Sequence, residues 1–106
     1  MMGALNNHSA LLKALSIGDE IDQHLDDQQW DFAESLSAER DSLLHTFFEQ
    51  LSPDSATTET TRLTSEIKQQ IDRQLLRLEQ MKKSSVKQRL DLRSSFKAAR
   101  AYADNR

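Results

Sequence analysis

An all-α fold is predicted by three features of the sequence. Its 106 residues contain only two glycines and one proline, 37% are hydrophobic against 29% charged, and the apolar residues recur at three- and four-residue spacing. Turn-rich β folds need Gly and Pro at their many corners, so such a composition leaves helices as the economical solution. The length suits one domain, 1–106. The predicted architecture is an antiparallel three-helix bundle with a long third helix and a short C-terminal helical segment.

Helix one is expected over about 9–25, because Leu11, Ala14, Leu15, Gly18, Ile21 and Leu25 share one face. Ser9 supplies a candidate N-cap. Gly18 lies on the apolar face, where glycine costs about 1 kcal/mol relative to alanine. Its presence there predicts close approach of a neighbouring helix.

Helix two is expected over about 27–51. Asp26 as N-cap and Gln29 three residues later form a capping-box pattern. Trp30, Ala33, Ser37, Arg40, Leu44, Phe47 and Leu51 then advance by alternating threes and fours. Phe32, Leu36, Leu43 and Phe48 widen the apolar arc to about 160°, beyond the ~100° stripe of an ordinary surface helix. Such a helix needs two neighbours. Trp30 reads as an anchor at one end of the bundle. Arg40 falls near the middle of the arc, and its expected solution is to snorkel, stem on the seam and charge reaching an acid or carbonyl at the rim.

The segment 52–60 has no large apolar residue, contains Pro53, and reads as the one long loop. Helix three is expected over about 61–92, with Leu63, Ile67, Ile71, Leu75, Leu78 and Met81 as its stripe and no helix breaker inside it. At ~1.5 Å per residue it reaches roughly 45 Å, so its distal half needs cover from elsewhere. Leu76, Val86 and Leu90 gather on a different face, a second contact surface or a short dimeric coiled coil. The segment 94–103 is amphipathic but below the ~12–15 residues at which isolated helices persist, so it must dock.

Charge divides the chain, with a net −10 over residues 1–60 and +7 over 61–106. The basic residues Lys82, Lys83, Lys87, Arg89, Arg93, Lys97 and Arg100 spread around their helix, and no nucleic-acid-binding signature accompanies them. A solvated face explains them better than nucleic acid. There is no cysteine, so disulfides and thiol chemistry are out. His8, His24 and His45 show no i, i+4 pairing for a metal, and no phosphate loop, nucleophile elbow or histidine-led triad can be written. The acids Asp19, Glu20, Asp22 and Asp26, Asp27, Asp31 read as a solvated face and a cap. No stretch approaches the ~18 apolar residues of a membrane span, and the first residues lack the pattern of a secretory signal. The expectation is a cytoplasmic binding protein without cofactor, metal or catalytic residues.

The pattern Gln29-Trp30-Asp31, then Leu36, Glu39-Arg40, Leu43-Leu44 and Phe47-Phe48, resembles the flagellar FliT family of export chaperones. Ser94-Ser95-Phe96-Lys97-Ala98-Ala99-Arg100-Ala101-Tyr102 is similar to the Ser- and Ala-rich segment, closing on a tyrosine, near the end of those proteins. The likeness covers nearly the whole chain. It implies three antiparallel helices and a C-terminal helix, and a role in holding a flagellar subunit, typically the filament-cap protein, before type III export. It also implies contacts with export-apparatus proteins and, for some members, with a flagellar transcription activator.

The residues supply a mechanism for such a role. Phe96, Ala99 and Tyr102 are expected to form a latch over a groove flanked by Phe48, Leu75, Leu78 and Met81, yielding it to an amphipathic helix of the partner. The alternatives are a dimeric helical adaptor and a nucleic-acid-binding regulator that uses the basic C-terminal half.

Overall fold

Where the sequence reads as three helices and a tail, the described residues form four helices. The computed structural model describes residues 2–51, 57–81 and 86–104, without the side chains of residues 2–7 and of Val86. Among the described residues no strand occurs, and the helices are α1 (Met2–Asp26), α2 (Trp30–Gln50), α3 (Thr58–Gln80) and α4 (Val86–Asp104).

The expected long third helix is corrected to two helices, since α3 ends at Gln80 and the chain resumes as α4 at Val86. Residues 82–85, which separate them, lie outside the described residues. The physical reason lies in the apolar stripe. On α3 it ends with Leu78 and half-buried Met81, and a second one begins at Leu92, Phe96, Ala99 and Ala103. A straight helix would leave that second stripe in water, whereas a second helix running antiparallel to α3 buries it. The C-terminal segment is accordingly a full helix of 19 residues rather than a short tail.

Two other helix starts also differ from expectation. α1 begins at Met2, leaving Ser9 exposed inside the helix rather than at its cap, a position serine tolerates when its side chain faces solvent. Asp26 does not cap α2; it is the last residue of α1, and its carboxylate pairs with Arg77 of α3. The turn is instead built by the backbone. Gln29 N donates to His24 O at 2.8 Å and Gln28 N to Leu25 O at 3.2 Å, with Gln28 in the left-handed region at φ 59°. This is a Schellman ending, with glutamine where glycine is usual. Gln29 precedes α2 without a side-chain cap bond, and its Oε1 lies 2.6 Å from His24 Nδ1. Thr57 does cap α3, its side chain accepting from Thr60 N at 3.1 Å.

The helices stand at the corners of a square. α1 packs against α2 and α3, and α4 packs against the same two, so α1 and α4 are diagonal, as are α2 and α3. Contacts between α1 and α3 rise together along both helices, from Leu15–Gln70 to Asp26–Arg77, so these two run parallel. So do α2 and α4, from Ser37–Ser95 to His45–Tyr102. α3 and α4 are antiparallel, tied by Lys68–Asp104, Arg100–Asp72 and Arg93–Glu79. The molecule is therefore two antiparallel hairpins laid side by side, measuring 47 × 21 × 18 Å. Its core is Leu11, Ala14, Ile17, Ile21 and Leu25 of α1; Ala33, Leu44 and Phe47 of α2; Leu63, Ile67, Ile71 and Leu78 of α3; and the α4 stripe.

Candidate functional site

The middle of this core is polar. Arg40, on the inner face of α2, is fully buried, so the snorkel expected from the sequence is corrected: the guanidinium stays inside the bundle. It sits one helical turn before Leu44 and three residues after Ser37, both buried, and has no route to the rim. Its Nη1 donates to Gln74 Oε1 of α3 at 2.8 Å, across the diagonal. Gln74 Nε2 in turn donates to Gly18 O at 3.0 Å and to Asp22 Oδ1 at 3.3 Å. One turn earlier on α3, Gln70 Nε2 donates to Leu15 O at 3.2 Å and Asp19 Oδ1 at 3.1 Å. Gly18 admits these glutamines: a Cβ there would lie 1.9 Å from Gln70 Oε1, which is the close approach its sequence position predicts.

α4 covers this layer. The Phe96 ring lies 5.2 Å from the Arg40 guanidinium carbon, and Ser95 Oγ lies 2.6 Å from Ser37 Oγ. Neither contact neutralises the cation. Arg40 Nε and Nη2 have no hydrogen-bond partner, and among the described residues no carboxylate is in ion-pair range of it. Burial accordingly pulls Arg40 down to about 10, against the attraction of Asp22 and Asp41. Burial also pushes Asp22 above its ordinary value, although the Gln74 bond and the Arg77 charge oppose the rise. Asp41 is raised by burial as well, and its Oδ1 is unsatisfied.

The residues expected to flank a groove are not brought together. Leu78 is fully buried, and Leu75 and Met81 are half-buried beside it near the C-terminal end of α3. That end meets the last turn of α1, as Arg77 pairs with Asp22 and Asp26. Phe48 lies at the far end of α2, roughly 25 Å away along the bundle at ~1.5 Å per residue, edge-on to Phe47. The parallel pairing of α1 with α3 separates them, and no sequence spacing reports it. Of the expected latch, Phe96 and Ala99 are fully buried members of the core, and Tyr102 is half-buried with its ring 4.8 Å from His45. On the expected second face, Leu76 and Leu90 are 57% and 54% exposed, on different helices; the Val86 side chain lies outside the described residues.

Sequence reasoning passed over Gln70 and Gln74. Following 3.6 residues per turn strictly, Ile67, Gln70, Ile71, Gln74 and Leu78 share the inner face, and Leu75 stands at its edge. A glutamine pair at i, i+4 inside an apolar stripe was the available signal.

Elsewhere the described residues line shallow clefts. The one at the α1–α2 turn, about 230 Å³, is lined by Gln28, Gln29, Trp30, Asp31, Phe32 and Gln88. Trp30 anchors there half-buried, while Phe32 is 60% exposed and stacks on His24 at 5.2 Å. A cleft of about 300 Å³ lies over Gln70, and one of about 110 Å³ lies beside Leu78 and Leu90. Among the described residues, no three of His, Asp and Glu come together as metal ligands, and no helix is long and apolar enough to cross a membrane. In comparisons with protein-family models, curated proteins and solved structures, the chain matches none.

Proposed function

We propose that this chain is a binding protein without catalytic activity, a cytoplasmic flagellar export chaperone that holds a flagellar subunit, the filament-cap protein first among them, before type III secretion. The resemblance described above names the subunit class, and the observation that carries the reading is the way α4 closes the bundle. Among its described residues α4 packs through Leu92, Phe96, Ala99 and Ala103, and its remaining ties to α3 are the half-exposed ion pairs of Arg93, Arg100 and Asp104. It also lies over a cation it leaves unneutralised. Lifting α4 bares the inner faces of α2 and α3, a groove into which an amphipathic helix of the client fits. The expected latch thus becomes the whole fourth helix, and the groove moves from Phe48, Leu75, Leu78 and Met81 to the inner surface around Arg40, Leu44, Gln74 and Leu78. Export-apparatus proteins and a flagellar transcription activator are secondary partners on this reading.

The test uses the absence of native cysteine. Ser37→Cys with Ser95→Cys places two thiols where hydroxyls now lie 2.6 Å apart, close enough for a disulfide that pins α4 to α2. The full chain is co-expressed with candidate flagellar cap and export proteins. A complex that forms with reduced protein, is blocked by oxidation and returns on reduction is the expected result. A pinned chain that binds equally well, or no complex with any flagellar subunit, overturns the proposal.

The basic-half alternative is weakened by the ion pairs. Arg77, Arg93 and Arg100 are paired with acids of the chain, and Lys68 with Asp104, which holds that carboxyl below its ordinary value. The dimeric adaptor retains the exposed Leu76 and Leu90 in its favour, and a sizing measurement decides it.

A further inference from the structure

Among the described residues, the guanidinium of Arg40 is the buried cation that its own surroundings leave unneutralised. A fully buried cation whose single hydrogen bond goes to a neutral amide leaves two of its three nitrogens without a partner, and an uncompensated buried charge destabilises the fold that holds it. The nearby carboxylates are otherwise occupied or misdirected. Asp22 accepts from Gln74 and faces Arg77, and Asp41 leaves its own buried oxygen unpaired. The wall in front of the guanidinium belongs to α4, which presents an aromatic ring at Phe96 and a hydroxyl at Ser95.

We infer that Arg40 selects the helix that takes the place of α4: the partner is an amphipathic helix carrying an Asp or Glu at the position now held by Ser95 or Phe96, whose carboxylate accepts the free donors of Arg40. This rests on the reading of α4 as a displaceable wall. The rest of the partner's face follows from the α4 stripe, Leu92, Phe96, Ala99 and Ala103, which sets apolar residues at i, i+7 and i+11 with the acid at i+3 or i+4. α4 fills the groove without satisfying its charge, and the partner does both. The difference between the two occupants is the preference that a displacement equilibrium needs. A guanidinium suits this task because its planar fork donates two parallel hydrogen bonds to a carboxylate.

The experiment displays a library of 19-residue peptides patterned on residues 86–104, randomised at positions corresponding to 92, 95, 96, 99 and 103. It is selected on the full chain, on Arg40→Met and on Arg40→Lys. Acidic residues at the 95 or 96 position are expected to be enriched on the full chain, and such peptides to bind it about tenfold or more tighter than Arg40→Met, with Arg40→Lys between. Should Arg40→Met not fold, the Lys variant and the effect of Ser95→Glu on melting temperature in the two intact chains give the same comparison. Binders that are wholly apolar and indifferent to Arg40 overturn this inference and leave the displacement reading standing. A library that yields no binder to any chain overturns both.

Discussion

Gly18 of α1 and Gln70 of α3 share one volume: the space a Cβ would take on the glycine is filled by the glutamine amide, 1.9 Å from Oε1 and 2.2 Å from Cδ. That amide donates to Leu15 O and Asp19, so the missing methyl admits a polar clasp between parallel helices. Gly18→Ala should therefore lower stability by about 1 kcal/mol, because displacing Gln70 loses more than the better helix propensity returns. In a Gln70→Ala background the same substitution should become stabilising by a similar amount. Denaturant melts of the four chains check this, and the reversal of sign is the decisive outcome.

Arg40→Met should leave stability within about 1 kcal/mol of the parent or raise it, since an apolar group of similar length removes a desolvated charge while orphaning one Gln74 oxygen. Arg40→Ala should cost about 3 kcal/mol through the cavity it leaves. Thermal melts of both variants read the contrast. A large loss in the methionine variant would make Arg40 a stabilising element rather than a recognition residue.

Gln28 closes α1 at φ 59°, a region that penalises a side chain. Gln28→Gly should stabilise the chain by about 0.5–1 kcal/mol without altering the hairpin. An unchanged circular dichroism spectrum with a higher melting temperature is the expected result.

Burial raises Asp22 above its ordinary carboxyl value, so the folded chain holds that proton to higher pH than the unfolded chain does. The ionised form therefore carries a penalty at neutral pH that fades as pH falls through the folded value and is gone below 3.8. Asp22→Asn keeps the oxygen that accepts from Gln74 and removes the penalty together with the Arg77 pair. The wild type should gain stability relative to this variant as pH is lowered from 7 toward 3.8, read as the difference in melting temperature. A wild type that loses stability relative to the variant on acidification would contradict the sign.

Periodicity passed over buried Ile17 and placed exposed Phe32 in the apolar arc, but it located most of the inner residues of α1 and α2, including buried Ser37 and Arg40, and the tight contact at Gly18. These follow from local geometry, because 3.6 residues per turn assigns a face wherever a helix forms. The end of α3 was not legible. Nothing in Met81-Lys82-Lys83-Ser84-Ser85 forbids a helix, and Leu92 and Phe96 needed a wall to bury against.

The sequence by itself determined an all-helical chain with inward faces, a polar interruption at Arg40 and a shortage of core that a further element had to cover. Tertiary structure decided the remainder: a fourth full helix, parallel pairing of α1 with α3 and α2 with α4, and the placing of Gln74 and Phe96 against one guanidinium. Periodicity is a property of each helix alone, whereas which faces meet depends on contacts 34 or 58 residues apart along the chain, fixed only when the hairpins pack.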